Sequence, residues 1–301
     1  MELTILGCHS ATPRDNARPT SQVLEIKNHL FLIDCGEGTQ MAMCKNKVKF
    51  ARIEHIFISH LHGDHVYGLI GLVSTFCLLG RNQPLTIYGP QGVKKLIELQ
   101  LELAGSHVPF ELRFRESVNN TPTVIFEDEK VQVSTIPLDH RVFTHGFLFT
   151  EKPGDRKLDV VACKEHQVDK SYYRSITKGK DYTAVDGSII ANDRLTSPGR
   201  KPRSYAFCSD TTYQESIIPI IKNVDMLYHE STFLKSHEHL CEKTKHSTAQ
   251  QAASIAAKAG VGLLILGHFS SRYKNYELFK EEALPVFKNT QLAQDDKVFR
   301  L

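Results

Sequence analysis

No Cys-x-x-Cys pair occurs among the seven cysteines, at positions 8, 35, 44, 77, 163, 208 and 241, and their number is odd. A disulfide framework and a thiolate zinc ribbon are thereby excluded, and the thiols read as reduced groups in a cytoplasm. Long hydrophobic runs are absent too. The longest apolar stretches, such as Gly262-Leu263-Leu264-Ile265-Leu266, are a strand long, far short of the roughly 20 residues a membrane span needs. Met1-Glu2-Leu3-Thr4-Ile5-Leu6 has neither a basic start nor a long apolar core, so no signal peptide and no membrane partner are expected. Neither sign of charge is much in excess: 37 Lys and Arg face 34 Asp and Glu, a net charge of +3 over 301 residues. That balance is compatible with a polyanionic partner without requiring one. With 41% hydrophobic residues the chain can fill a sizeable core, which excludes disordered and fibrous classes.

Histidine is what stands out, 15 of 301 residues, because imidazole is the commonest metal ligand and the usual proton carrier near neutral pH. Strand patterns at 3–6, 22–27 and 30–34 precede a helix pattern at 37–45; 55–59 reads as a strand and 66–79 as a buried helix. A strand at 85–88 leads into a helix at 92–104, and strands at 110–115, 124–127, 131–138 and 147–150 make a β-rich middle. Residues 151–203 are polar and basic with little periodic apolar pattern, and read as an inserted arm. Alternation resumes at 205–209, 217–222, 226–229, 248–259, 263–267 and 276–287. Two strand-rich halves, each followed by helices, predict an α/β fold of two face-to-face β-sheets with helices outside: a single domain over 1–301 carrying the arm.

Ser59-His60-Leu61-His62-Gly63-Asp64-His65 stands between a strand and a helix pattern. Three imidazoles and a carboxylate in six residues are costly to gather unless a cation orders them. In an extended turn His60 and His62 point to one side, Asp64 and His65 lie past the bend and can face a second ion, and Gly63 permits the bend. Imidazole and carboxylate without thiolate favour zinc, manganese or iron and leave room for coordinated water. Three later strand patterns end in His140, Asp210 and His268, and layered α/β folds gather ligands at strand ends. Seven ligands suit two metals with a bridging Asp. His145, five residues beyond His140, is a rival for its place.

On these residues the chain resembles the metallo-β-lactamase superfamily and, within it, the ribonuclease Z family. The family's His-x-His-x-Asp-His stands at His60 to His65, its single His at His140, and its bridging Asp in Phe207-Cys208-Ser209-Asp210-Thr211. Its last His stands in Gly267-His268-Phe269-Ser270-Ser271-Arg272-Tyr273. His229-Glu230-Ser231-Thr232 is similar to its His-Glu-Ala-Thr motif and His246-Ser247-Thr248 to its His-Ser-Thr motif. The resemblance implies an αββα sandwich of two mixed sheets and a zinc-dependent endoribonuclease that removes the 3′ trailer from precursor tRNA. Metal-hydroxide attack would leave a 3′-hydroxyl on the tRNA and a 5′-phosphate on the trailer. Two Zn2+ per subunit are implied, Mn2+ and Fe2+ being other fits. His60, His62, His140 and Asp210 would hold one, and Asp64, His65, Asp210 and His268 the other. The resemblance also implies a cytoplasmic homodimer in which one subunit's arm holds tRNA for the other's site.

Asp64 would accept the proton of the attacking water, and His246 is the candidate acid for the leaving 3′ oxygen. Ser247-Thr248-Ala249-Gln250 has the form of a capping box, which places His246 just outside a helix N-terminus whose positive end disfavours imidazolium. Glu230, supplied by the resemblance, would hold the proton there; His229 would only orient its neighbours. Ser270, Ser271 and Arg272 read as a phosphate clamp, a solvated surface loop being the alternative. Lys178 and Lys180, with Lys170 and Arg174, are candidate tRNA phosphate contacts. Two segments depart from the family pattern. Its Pro-x-Lys-x-Arg-Asn loop is here Pro13-Arg14-Asp15-Asn16-Ala17-Arg18, and the Gly/Pro-rich arm tip is replaced by residues 166–175. The competing expectation is a small-molecule phosphodiesterase, or other ester hydrolase, using the same metals without tRNA.

Overall fold

In the structure, a computed structural model that describes residues 1–301, the strand patterns assemble into two mixed sheets of seven strands each. The first comprises β1 (Glu2–Gly7), β2 (Ser21–Ile26), β3 (His29–Ile33), β4 (Ile53–Phe57), β5 (Leu85–Pro90), β6 (Leu112–Ser117) and β18 (Val298–Arg300), in the order β18-β1-β2-β3-β4-β5-β6. The second comprises β7 (Val124–Glu127), β8 (Val131–Leu138), β9 (Thr144–Glu151), β14 (Ser204–Cys208), β15 (Met226–Glu230), β16 (Leu263–Gly267) and β17 (Thr290–Leu292). Its order is β17-β16-β15-β14-β9-β8-β7. Pairing is antiparallel from β18 to β3 and from β14 to β7, and parallel from β3 to β6 and from β14 to β17.

The parallel strands decide where the site lies. Cys208 pairs with His229 and Glu230 with Gly267, so β14, β15 and β16 end level with one another at one rim. In the first sheet Ile33 pairs with Phe57, which brings the residues after β3 and β4 side by side. Leu263-Leu264-Ile265-Leu266 is almost uninterruptedly buried, as a parallel strand covered on both faces must be. Helix Ala249–Ala259 covers it outside, six of its eleven residues being buried.

Between the sheets, Phe31 and Phe57 of the first meet Phe149 of the second at centroid distances of 5.6 and 5.3 Å, and all three are fully buried. Phe149→Ala should cost about 3–5 kcal/mol of unfolding free energy, read as a fall in the urea midpoint at unchanged slope.

The arm lies between Glu151, the end of β9, and Ser204, the start of β14. It contains β10 (Lys157–Leu158) paired with β13 (Thr196–Ser197), and β11 (Tyr182–Thr183) paired with β12 (Ile189–Ile190). Its few apolar residues gather despite their lack of period: Cys163, Val168, Ile176, Tyr182, Ile190 and Leu195 form a small core of their own. Their spacing follows turns and two-residue strands, which no helical or strand period reveals.

Other differences are local. The helix expected at 66–79 is divided into Gly63–Val66 and Gly68–Leu78, and 217–222 holds a 3₁₀ turn, Glu215–Ile217, followed by turns. β17 and β18, three residues each, are too short for alternation to show. No helix is long and apolar enough to cross a membrane.

Candidate metal centre

The seven expected ligands converge at the shared rim. His60, His62, His140 and Asp210 offer ligand atoms within 4.8 Å of one another, and so do Asp64, His65 and His268. Asp210 stands between the two groups. Its Oδ2 is 3.7 Å from both His60 Nε2 and His140 Nε2, while its Oδ1 is 3.2 Å from both His65 Nε2 and His268 Nε2. Asp64 Oδ2 adds 3.4 Å contacts to His65 Nε2 and His268 Nε2.

Hydrogen bonds behind the rings settle which nitrogen carries the proton. His65 Nδ1 donates to Asp34 Oδ2 (2.6 Å), and His140 Nδ1 to the Lys245 carbonyl (2.8 Å). Ser59 Oγ gives its proton to Asp34 and so accepts from His60 Nδ1 (3.0 Å); Thr232 Oγ1 gives its own to Glu230 and accepts from His268 Nδ1 (2.9 Å). Four Nε2 atoms therefore face inward, bare in the neutral imidazoles, joined by His62 Nδ1 at 3.0 Å from His60 and 3.2 Å from His140. Lone pairs that close repel unless a cation lies among them, and oxygen partners behind each ring are how proteins orient metal-binding imidazoles. The donor set, nitrogen and carboxylate oxygen without sulfur, suits a divalent cation. Burial alone would raise the Asp210 carboxyl, but His268, His65 and His60 around it hold it well below the usual carboxylate range.

Backbone strain accompanies this convergence. Asp34, Asp210 and His268 are left-handed, with φ of 55°, 59° and 59°, a conformation that costs of order 1–3 kcal/mol in a non-glycine residue. Close approach is secured by glycines: a Cβ on Gly68 would stand 2.0 Å from the Gly36 carbonyl, and one on Gly36 2.4 Å from that of Asp64. Gly63 corrects the sequence reading. It is not left-handed, and its missing side chain makes room for the Tyr67 ring.

Beside the ligands, the fully buried Glu230 accepts from His246 Nδ1 at 2.7 Å and from Thr211 N through Oε1, and from Thr232 N and Oγ1 through Oε2. Burial opposes a charge on His246, but the Glu230 carboxylate raises its pKa to about 9. The helix cap is one residue later than expected. Thr248, not Ser247, forms the capping box with Gln251, while Ser247 Oγ donates to the Thr211 carbonyl.

His145 lies away from the ligands, bonded to the Asn119 carbonyl, so His140 alone joins the cluster. His229 Nδ1 donates to the Glu230 carbonyl and reaches no ligand. A cleft of about 360 Å³ opens onto His62, Asp64, Asp210, His246 and His268. Ser270, Ser271 and Arg272 do not line it: Ser270 Oγ accepts from Arg272 N, and the Arg272 side chain is exposed without a protein partner. The lining guanidinium is that of Arg141, exposed and free of ion pairs, which the sequence reading missed although it directly follows His140.

Asp34 was missed as well. An apolar strand ending in a carboxylate was its signal, the one that singled out Asp210. Asp34→Asn should weaken metal affinity about 10–100-fold, measured by competition with a chromogenic chelator.

Two face-to-face mixed sheets with His and Asp ligands at their common rim define a metallohydrolase of the metallo-β-lactamase fold. The structure matches human tRNase Z, short form, with a TM-score of 0.73 at 26% identity, covering 100% of this chain and 99% of that one. It also matches the metallo-β-lactamase fold protein YhfI from Bacillus subtilis, TM-score 0.69 at 18% identity, covering 99% and 98%. The chain belongs to the ribonuclease Z family: it is 44% identical to ribonuclease Z of Porphyromonas gingivalis over 97% of its length and 96% of that protein's. Ribonuclease Z of Bacteroides fragilis is likewise 44% identical, over 98% and 97%. A family model described as anti-Pycsar protein Apyc1 matches residues 1–151, the half that carries His60 to His65 and His140 but not Asp210, Glu230, His246 or His268.

Proposed function

We propose that this chain is the endoribonuclease that removes the 3′ trailer from precursor tRNA, and that each of the two ligand groups, sharing Asp210, would hold one zinc ion. The observation that carries the chemistry is Asp210, whose two oxygens face different sets of imidazoles. Divalent cations bound there supply an acidified water and offset charge on the non-bridging phosphate oxygens.

The chain's own groups do the rest. Asp64, with one oxygen against His65 and His268, accepts the proton of the attacking water. His246, its Nδ1 held by Glu230 and its ring lining the cleft, gives a proton to the 3′ oxygen of the tRNA, a poor leaving group as a bare alkoxide. Glu230 is itself clamped by three further donors from Thr211 and Thr232, so the acid keeps one orientation through the reaction.

Substrate size is the arm's part. Lys164, Lys170, Arg174, Lys178 and Lys180 are exposed on it, and each is free of ion pairs within the chain, which leaves them for phosphates. Tyr172 is half exposed beside Tyr182 and offers a stacking face. We read the protein as a cytoplasmic homodimer, with exposed Met41, Tyr67, Leu78 and Leu79 as apolar area for a second copy. Seven free cysteines fit a reducing compartment.

Glu151 N donates to the Arg203 carbonyl at 2.8 Å, so the arm can be replaced between them by a short glycine linker. The shortened protein should show a higher KM for 3′-extended tRNA, weaker salt dependence, and unchanged hydrolysis of a chromogenic phosphodiester. Equal losses on both substrates would make the arm a structural element only.

A further inference from the structure

The first loop of the chain contains a second convergence of metal-binding groups, outside the centre described above. Cys8, immediately after β1, is fully buried, and its Sγ lies 3.5 Å from Asp295 Oδ1. The same oxygen is 3.8 Å from His9 Nε2, with the His9 and Asp295 side chains only 12% and 11% exposed. The three ligand atoms all lie within 4.8 Å of one another. Around a tetrahedral zinc with bonds of about 2.0–2.3 Å, donors stand roughly 3.3–3.6 Å apart, which the two contacts of Asp295 Oδ1, 3.5 Å to Cys8 and 3.8 Å to His9, already approach.

Asp295 divides its two oxygens. Oδ2 accepts from Arg18 N at 3.0 Å and lies 3.7 Å from Arg18 Nε, while Oδ1 is left to Cys8 and His9. The His9 ring is steadied by Tyr276, whose hydroxyl is 3.4 Å from Nδ1, and by the edge of Phe269. A cavity of about 760 Å³ is lined by His9, Asp295 and Asp296 among others, while Cys8 is buried and does not line it; the cavity leaves space for a water as fourth ligand. The cationic side chains at its wall are Arg14, Arg18, Lys45, Lys280 and Lys297; Arg14 is bonded to the Tyr273 carbonyl and the Tyr276 hydroxyl, Arg18 to the Leu6 carbonyl and to Asp296, and Lys45 to Asp296.

We propose that Cys8, His9 and Asp295 form a separate site for one divalent cation of the zinc class, held by one sulfur, one nitrogen and one oxygen. On binding, the Cys8 S–H bond breaks, its proton passes to solvent and a sulfur–metal bond forms. The site ties three parts of the chain together. Asp295 lies between β17 and β18, Cys8 follows β1, and the Cys8 carbonyl accepts from His268 N at 2.8 Å. An ion here therefore staples the first loop to the C-terminal strands directly beneath a residue of the main centre.

Cobalt(II) is the probe, because the main centre has no sulfur ligand and the proposed site has one. The cobalt-loaded full chain should show a near-ultraviolet sulfur-to-cobalt charge-transfer band, retained in Cys44→Ser and lost in Cys8→Ser. Zinc content after desalting should be one equivalent lower in Cys8→Ser and in His9→Gln than in the unaltered protein. Absence of the band from the cobalt-loaded unaltered protein, its survival in Cys8→Ser, or equal zinc contents would overturn the site. None of these readouts depends on RNA cleavage, so their failure leaves the reading of the main centre untouched.

Discussion

A protein carrying Asp210→Ala is expected to turn over 3′-extended tRNA no faster than the unaltered protein stripped by a chelator, and to lose metal from both ligand groups together. Asp210 is 2% exposed and is the one carboxylate that reaches His60, His140, His65 and His268. Without it each group would face its cation with less negative charge, and the two groups lose the side chain they share. Elemental analysis beside a cleavage assay checks this: metal retained in full, with turnover preserved, would remove Asp210 from the centre. Asp64→Ala removes a candidate ligand and the candidate proton acceptor together. Hydrolysis of any phosphodiester should vanish, and turnover retained in a metal-loaded Asp64→Ala protein would mean that another group takes the water's proton.

His246→Ala is expected to behave differently, with metal content kept and tRNA cleavage slowed about 10²–10⁴-fold, the usual worth of a positioned acid. Glu230→Gln should follow in the same direction, because the neutral amide no longer holds a proton on His246 Nδ1. The loss should shrink for a nitrophenyl diester, whose leaving group departs without protonation. An equal loss on both substrates would argue against His246 as the acid. Metal loss in His246→Ala would make it a ligand instead, a real alternative because Asp210, His246 and His268 also lie within 4.8 Å of one another.

The convergence of these seven side chains was legible in the sequence because their backbone setting is local. A strand that ends in His or Asp puts that side chain at a sheet rim wherever the sheet lies, and the pattern held at His140, Asp210 and His268 as it did at His60 to His65. What escaped notice depends on partners far away in the chain. Asp34 carried the same strand-end signal as Asp210, but its contact with Ser59 and His65 arises only from the parallel pairing of β3 with β4, and Arg141 gains its place only where the cleft forms.

Spacing alone was a poorer guide in four places. Ser247 had the right position for a cap, yet its hydroxyl serves the Thr211 carbonyl and Thr248 caps instead. Arg272 stands near His268 in sequence but is exposed outside the cleft. The arm's small core follows no period, and β18 exists only because β1 offers an edge to pair with.

The measurement that tests the account most directly is cleavage of a precursor tRNA carrying a 3′ trailer by the zinc-loaded protein, with both product ends mapped and a chelated control beside it. A chelator-sensitive cut next to the discriminator base, leaving a 3′-hydroxyl on the tRNA and a 5′-phosphate on the trailer, is the predicted result. An uncut precursor, with a protein that holds its metals and hydrolyses a simple diester, would contradict it and assign the centre to small-molecule phosphodiesters.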